Sequence, residues 1–189
     1  MVEAPLASYR VIDLTDERGL LAGQIFARLG ADVIQVEPPD GSRARRVAPL
    51  HDGGSFFWDA YAAGKRAITC NLDCDTGRTL FLRLVATPDF LFDSRDVGTM
   101  ERRGLDWHAL SAINPRLIYT SITAFGSEGP KAAYAAEDLI VWAAGGALLH
   151  NRDTDGLPLR ISVPQAYLHA AADAAAGALI ALAARHRTG

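Results

Sequence analysis

The sequence predicts an α/β fold: an open, mostly parallel sheet flanked by helices. Three observations carry this. Short apolar runs with β-branched and aromatic residues recur along the chain. Between them lie segments whose apolar residues repeat at helical spacing. Strands separated by helices imply right-handed crossovers, and so parallel neighbours. At 189 residues, 49% of them hydrophobic, the chain has material for the core of one domain.

Residues 9–14 (YRVIDL) read as the first strand. Residues 19–29 predict a helix, with Leu20, Leu21, Ile25, Phe26 and Leu29 at helical spacing and Gly30 to end it. Residues 32–36 form the second strand. Residues 38–64 are a long polar loop holding the aromatic patch Phe56, Phe57 and Trp58, and connections of that length are usually binding loops or lids. Residues 67–72 are a third strand, followed by a helix over 76–86 carrying Leu80, Leu82 and Leu84. Residues 89–92 give a fourth strand, 107–113 a helix and 117–122 a fifth strand. Helices over 136–149 and 164–185 close the chain. Pro164 suits a first helical position, where its missing N–H would be unpaired anyway. No internal repeat is visible.

Composition excludes several classes. A net charge of -3 with scattered basic residues argues against a nucleic-acid partner, though Arg43, Arg45, Arg46, Arg102 and Arg103 remain available to a phosphorylated small ligand. Cys70 and Cys74 lie four apart with no second pair, and none of the five histidines has metal-ligand spacing to them. Two reduced intracellular thiols and no metal are expected. The first ten residues lack the apolar core of a signal peptide. The Ala-rich stretch 170–184 is interrupted by Asp173 and reads as a packed helix, not a membrane span. A cytoplasmic protein with no membrane partner is expected.

In an open parallel sheet, ligands settle where the strands' carboxyl ends meet helix N-termini. The candidate loops are therefore 15–19, 37–46, 93–98 and 123–129. No Gly-rich nucleotide fingerprint follows the first strand, so a dinucleotide enzyme is not expected.

Five blocks in fixed order carry a family resemblance: VIDLTDERG (11–19), LGADVIQVEPP (29–39), GKRAITCNLDCDTGR (64–78), GTMERRGLDWHALSAINPRLIYTSITAFGSEGP (98–130) and PLRISVP (158–164). Together they resemble the family III CoA-transferases, the CaiB/BaiF group, over nearly all of the chain. The resemblance implies that family's Rossmann-like large domain and activity on acyl-CoA thioesters, with coenzyme A or acyl-CoA as ligand and no further cofactor. It also implies a chain about twice as long, with a second, smaller domain; the present sequence ends at Gly189, so a fragment or one half of a divided enzyme is expected. Carried over by position, the residues holding the CoA nucleotide would be Gly19, Glu37, Pro38, Lys65, Arg66, Ser94, Arg102 and Arg103. The cations have a physical rationale, since they stabilise phosphates. Each taken singly reads equally well as a solvated surface cation.

Two departures from the pattern matter. Where the family typically has DLTRVLAGPFA, this chain has DLTDERGLLAG, and Asp16 and Glu17 place carboxylates on the path of an anionic nucleotide unless they turn outward. Where the family's VP.ADL holds its nucleophilic aspartate, this chain has Tyr167, so no residue of the chain is assigned as catalytic nucleophile. A carboxylate attacks a thioester because it is ionised at neutral pH. A phenol with a reference pKa of about 10 is not. Tyr167 reads as a part-buried aromatic filling the former carboxylate site. Glu137 and Asp138 stand where the family has an acidic element near its active site. His169 and Asp173, four apart, could pair on one helix face, which reads as a local contact and not as acid–base machinery.

Three functions remain: the non-nucleophilic half of a divided or duplicated CoA-transferase, a non-catalytic binding or assembly module of the same fold, and a racemase-like protein for 2-methylacyl-CoA. The first expects a homo- or hetero-oligomer with a chain or domain that carries the small domain and the aspartate. A chain without that part should expose an apolar face or an unpaired sheet edge.

Overall fold

The computed structural model describes residues 4–188. Its elements run β1 (Arg10–Asp13), α1 (Leu20–Arg28), β2 (Asp32–Glu37), a 3-10 turn (Arg43–Arg46), β3 (Leu50–His51), β4 (Gly54–Ser55), α2 (Phe56–Tyr61) and β5 (Arg66–Thr69). They continue with α3 (Asp75–Val85), β6 (Phe90–Asp93), α4 (Thr99–Arg102), α5 (Trp107–Ile113) and β7 (Ile118–Ser121). The chain closes with α6 (Asp138–Ala144), a 3-10 turn (Ala147–Leu149) and α7 (Gln165–Thr188). The predicted α/β class holds. Five parallel strands form one sheet in the order β5-β2-β1-β6-β7. The order reverses between β1 and β6, which makes the crevice at their carboxyl ends the topological switch point of the sheet.

Period-two alternation sorts the strand residues into two apolar layers. Val11, Val33, Phe90 and Phe92 face α1 and α7, packing on Phe26, Ala171, Ala175, Ala178 and Leu182. Ile12, Ile34, Val36 and Leu91 face the other way, onto Phe81 and Val85 of α3 and Leu110 of α5. Phe26 meets Phe90 and Phe92 edge-on at 4.8 and 5.2 Å, a favoured aromatic arrangement. The small residues of α7 let it lie close to α1. By length and composition α7 would suffice to cross a membrane, yet its alanine face is core.

Several elements differ from expectation. Residues 38–64 are not one loop. Ser42 accepts the Ala44 N–H and Ser55 accepts the Trp58 N–H, so two hydroxyl caps start the 3-10 turn and α2, and the aromatic patch becomes helical. Helix α4, opened by Gly98 at φ 80°, is one turn long and too short to leave a periodic signal. The predicted helix over 136–149 is divided at Gly145–Gly146, with Gly146 left-handed at φ 80°. Pro164 lies one residue before α7, its carbonyl accepting the Leu168 N–H at 3.1 Å, and Gly189 lies outside the described residues.

Among the described residues, the sheet ends on unpaired edges. Every residue of β5 is exposed, as is Ser121 of β7. Large apolar side chains also face solvent between residues 134 and 163, including Tyr134, Leu149 and Leu157, and Ile180 on α7 is 71% exposed.

One polar cluster is fully buried. The Lys65 ammonium donates to Asp13 Oδ2 at 2.7 Å, to the Leu20 carbonyl at 2.7 Å and to Gln35 Oε1 at 3.1 Å. Asp13 also accepts from the Thr15 N–H and hydroxyl, and Gln35 donates to the Thr15 carbonyl. A Cβ on Gly23 would lie 2.0 Å from Asp13 Oδ2, so α1 can pass over the carboxylate only with glycine there. Lys65→Met leaves Asp13 buried without its counter-charge and is expected to cost about 3–5 kcal/mol in urea unfolding. Combining it with Asp13→Asn should recover part of the loss. A cost within the ordinary surface range for Lys65→Met would show that the pair does not hold the sheet.

Candidate functional site

Two clefts open where the sheet's carboxyl ends meet the loops. The first, of about 230 Å³, is walled by the segments after β1 (Leu14 to Asp16), after β2 (Pro38, Pro39, Ser42, Arg43) and after β5 (Cys70 to Asp73). Arg95 and Arg103 complete it. The second, of about 460 Å³, brings Glu17 and Arg43 together with Glu137, Asp138, Arg160 and Tyr167, over an apolar floor that includes Phe57. Arg43 belongs to both.

The anchoring of these walls is ionic. Glu37, at the end of β2 and 3% exposed, takes Arg45 in a two-pronged bridge at 2.6 and 2.8 Å and the Ser42 N–H at 2.8 Å. Arg45 lies over the Trp58 ring at 3.9 Å, which ties α2 to the same turn. Burial pushes the Glu37 carboxyl up, but the Arg45 and Ser42 hydrogen bonds and the Arg45 charge outweigh it and hold it below its ordinary value. Asp16 behaves likewise: burial raises it, and Arg18 with Ser94 brings it below the usual range. Ser94 joins the loops on either side of the switch point, donating to Asp16 Oδ1 at 2.9 Å and accepting from its N–H at 3.0 Å.

Asp16 is therefore neutralised by Arg18 and does not present the bare charge that the sequence suggested. Glu17 has one carboxylate oxygen 3.4 Å from Arg43 Nη2, and the other is buried without a hydrogen-bond partner among the described residues.

Of the residues expected to hold a nucleotide, Pro38 and Arg103 line the first cleft. Arg103 shares its guanidinium with Asp73 at 2.7 Å. Gly19 caps α1 and is packed on Thr15 and Ile122; a Cβ there would lie 2.7 Å from Thr15 Cγ2. Glu37 and Ser94 support the cleft from behind. Two of the expected contacts are committed elsewhere, and a third lies outside the cleft walls. Lys65 has all three ammonium protons committed and its side chain is 1% exposed, so it cannot reach a phosphate. Arg66 pairs with Asp32 at 2.7 Å, and both begin their strands, at the sheet edge opposite the clefts. Arg102 is exposed, outside both cleft walls, and donates to Thr99.

Glu137, Asp138 and Tyr167 do meet in the second cleft. Asp138, 7% exposed, accepts the Tyr167 backbone N–H at 3.2 Å, so the first residue of α6 caps the first turn of α7. Burial pushes the Tyr167 phenol above its ordinary value of 10.0, although the Arg18 charge opposes this. His169 leans on Trp142, ring centroids 5.9 Å apart, and forms no hydrogen bond with Asp173 among the described residues. The expected helix-face pair is thus not made.

Sequence reasoning missed the wall after β5, because the third strand's loop was not among the candidates. It also missed Arg160, although that residue lies inside the PLRISVP block. Arg95 lies in the loop foreseen after the fourth strand. The buried load on Gly23 left no local signal, since its cause is a carboxylate ten residues away in sequence.

A family model described as CoA-transferase family III matches residues 6–189. Succinyl-CoA:(R)-benzylsuccinate CoA-transferase subunit BbsE of Thauera aromatica is 42% identical over 187 residues, covering 96% of this chain and 45% of that protein. Formyl-CoA:oxalate CoA-transferase of Streptomyces coelicolor is 33% identical over 191 residues, covering 100% and 46%. A crystal structure of a CaiB/BaiF family protein from Brucella suis superposes with a TM-score of 0.93 at 36% identity, covering 100% of this chain and 51% of that one. The chain spans about half the length of these relatives.

The two depressed carboxylates give the clefts a pH dependence. Such a group contributes stability that is complete above its unfolded value, 4.5 for Glu37 and 3.8 for Asp16, and is lost as pH falls through the lower folded value. Tm is expected to hold from neutrality to about pH 5 and to decline below it. Arg45→Met removes the main partner of Glu37 and should flatten the acid limb of the Tm–pH curve. An unchanged limb would show that Glu37 carries none of it.

Proposed function

The chain belongs to CoA-transferase family III, and on that premise we propose that it binds a coenzyme A thioester as the non-nucleophilic half or subunit of a divided or duplicated CoA-transferase. The observation that carries this is Tyr167. By the motif it occupies the place of the family's aspartate, and it lies in the second cleft beside Glu137 and Asp138. Transfer of this kind needs an ionised oxygen that attacks the thioester carbon and expels the thiolate. A phenol held above its ordinary value by burial is neutral at pH 7 and cannot do so. The carboxylate must then come from a partner chain or domain.

The first cleft suits the nucleotide end of the ligand. Arg43, Arg95 and Arg103 converge on it, and planar guanidinium forks match phosphate oxygens. Arg43 continues into the second cleft, which would receive the acyl end. A partner is supported by the exposed apolar residues of 134–163 and the open edges of the sheet. That the Thauera relative is described as a subunit accords with the same reading.

Calorimetry of the purified chain against coenzyme A is expected to give micromolar binding, weakened about tenfold by Arg43→Ala, the loss of roughly one charge-assisted hydrogen bond. Silence in calorimetry would favour an assembly module without a ligand. After incubation with an acyl-CoA the intact mass of the isolated chain should stay unchanged, and a covalent acyl adduct at any side chain would overturn the reading. Light scattering at high concentration should detect association, whereas a clean monomer would count against the partner.

A further inference from the structure

Outside the ionic groups of the clefts, the described residues hold one pair of reactive side chains, the free thiols Cys70 and Cys74. Cys70 follows β5, half-buried in the wall of the first cleft, with its N–H donated to the Glu37 carbonyl at 2.8 Å. Cys74 is exposed and is the N-cap of α3. Both sulfurs meet the same residue. The Cys70 thiol donates to the Gly77 carbonyl at 3.3 Å, and the Gly77 N–H donates to Cys74 Sγ at 3.4 Å. Cys74 also donates back to the carbonyl of Asn71, the residue after Cys70, at 3.4 Å.

The loop between them is tightly turned. Asn71 Oδ1 accepts the Asp73 N–H at 3.0 Å, which bends the chain so that Cys74 returns toward Cys70. A Cβ on Gly77 would lie 1.7 Å from the Asn71 carbonyl oxygen, so the first turn of α3 presses directly on this loop.

The two thiols differ in character. Cys74 is exposed at the start of an 11-residue helix, where its sulfur accepts a backbone N–H. Burial, together with the charge of Cys74, pushes the Cys70 thiol up. Such an arrangement gives an exposed attacking sulfur and a sheltered resolving one.

We propose that Cys70 and Cys74 form a peroxide-responsive modification site that closes a disulfide within the 70–74 loop, on the rim of the first cleft. The Cys74 sulfur attacks one peroxide oxygen, the O–O bond breaks and the leaving oxygen departs as water with the Cys74 proton, giving a sulfenic acid. The Cys70 sulfur then attacks that sulfur; the S–O bond breaks and water leaves with the Cys70 proton. In sum, two thiols are oxidised to a disulfide and one hydrogen peroxide is reduced to two waters. Bridging draws Cys74 off the Gly77 N–H, uncaps α3 and re-aims Cys70 and Asn71 in the cleft wall. The site stands independently of any ligand of that cleft.

Treating the intact chain with a slight excess of hydrogen peroxide is expected to give a product about 2 Da lighter, with both thiols lost together and restored by dithiothreitol. Peptide mapping should place the bond between Cys70 and Cys74 of one chain. In Cys70→Ser, oxidation should stop at a species about 16 Da heavier that dimedone traps at Cys74. Persistence of both thiols, oxidation of Cys74 alone in the unmodified chain, or a disulfide formed only between two chains would each overturn the proposal.

Discussion

A buried ammonium fixes the frame on which the rest is built. Lys65 reaches along the sheet from the start of β5 and ties together Asp13 of β1, Gln35 of β2 and the first residue of α1. Each of those groups is nearly inaccessible to water, so none could be buried alone at acceptable cost. Burial is tolerated because the cluster is complete: three donors meet three acceptors, and Thr15 takes up what is left of Asp13. The cluster also dictates sequence elsewhere. α1 must carry glycine at position 23 to clear the carboxylate, and the chain leaving β1 must turn at Thr15.

That frame sets the direction of the loops at the switch point, and a second tier of charges sets their shape. Glu37 holds the Arg43–Arg46 turn through Arg45, Asp16 is held by Arg18 and Ser94, and Asp138 holds the start of α7. The acidic residues of the region are thus mostly engaged in positioning backbone. Of the guanidinium groups, Arg45 and Arg18 are spent on backbone-positioning carboxylates, while Arg43, Arg95 and Arg103 line the clefts although each also meets a carboxylate, at 3.4, 3.4 and 2.7 Å. Residue type alone does not separate these two populations. Position relative to the cleft walls does.

This explains what was legible beforehand. The five sheet strands and α1, α3, α5 and α7 could be read because a two-residue or helical period is a property of local sequence. The location of the clefts at the carboxyl ends of the strands followed from the alternation of strands and helices and needed no side-chain detail. The fate of individual cations did not follow. Lys65 and Arg66 are adjacent in sequence and belong to one motif, yet one is sealed in the interior and the other is bound to Asp32 at the far end of the strands. Pairing across the sheet decides that, and a single chain read in order does not reveal it. The short caps at Ser42 and Ser55 were overlooked for a related reason: a hydroxyl that accepts one N–H leaves no periodic trace.

Arg43 has a position unlike the other cations, since its side chain forms part of the wall of both clefts. The two spaces are thus joined through one side chain, which the Glu17 carboxylate holds at 3.4 Å on the side of the second cleft.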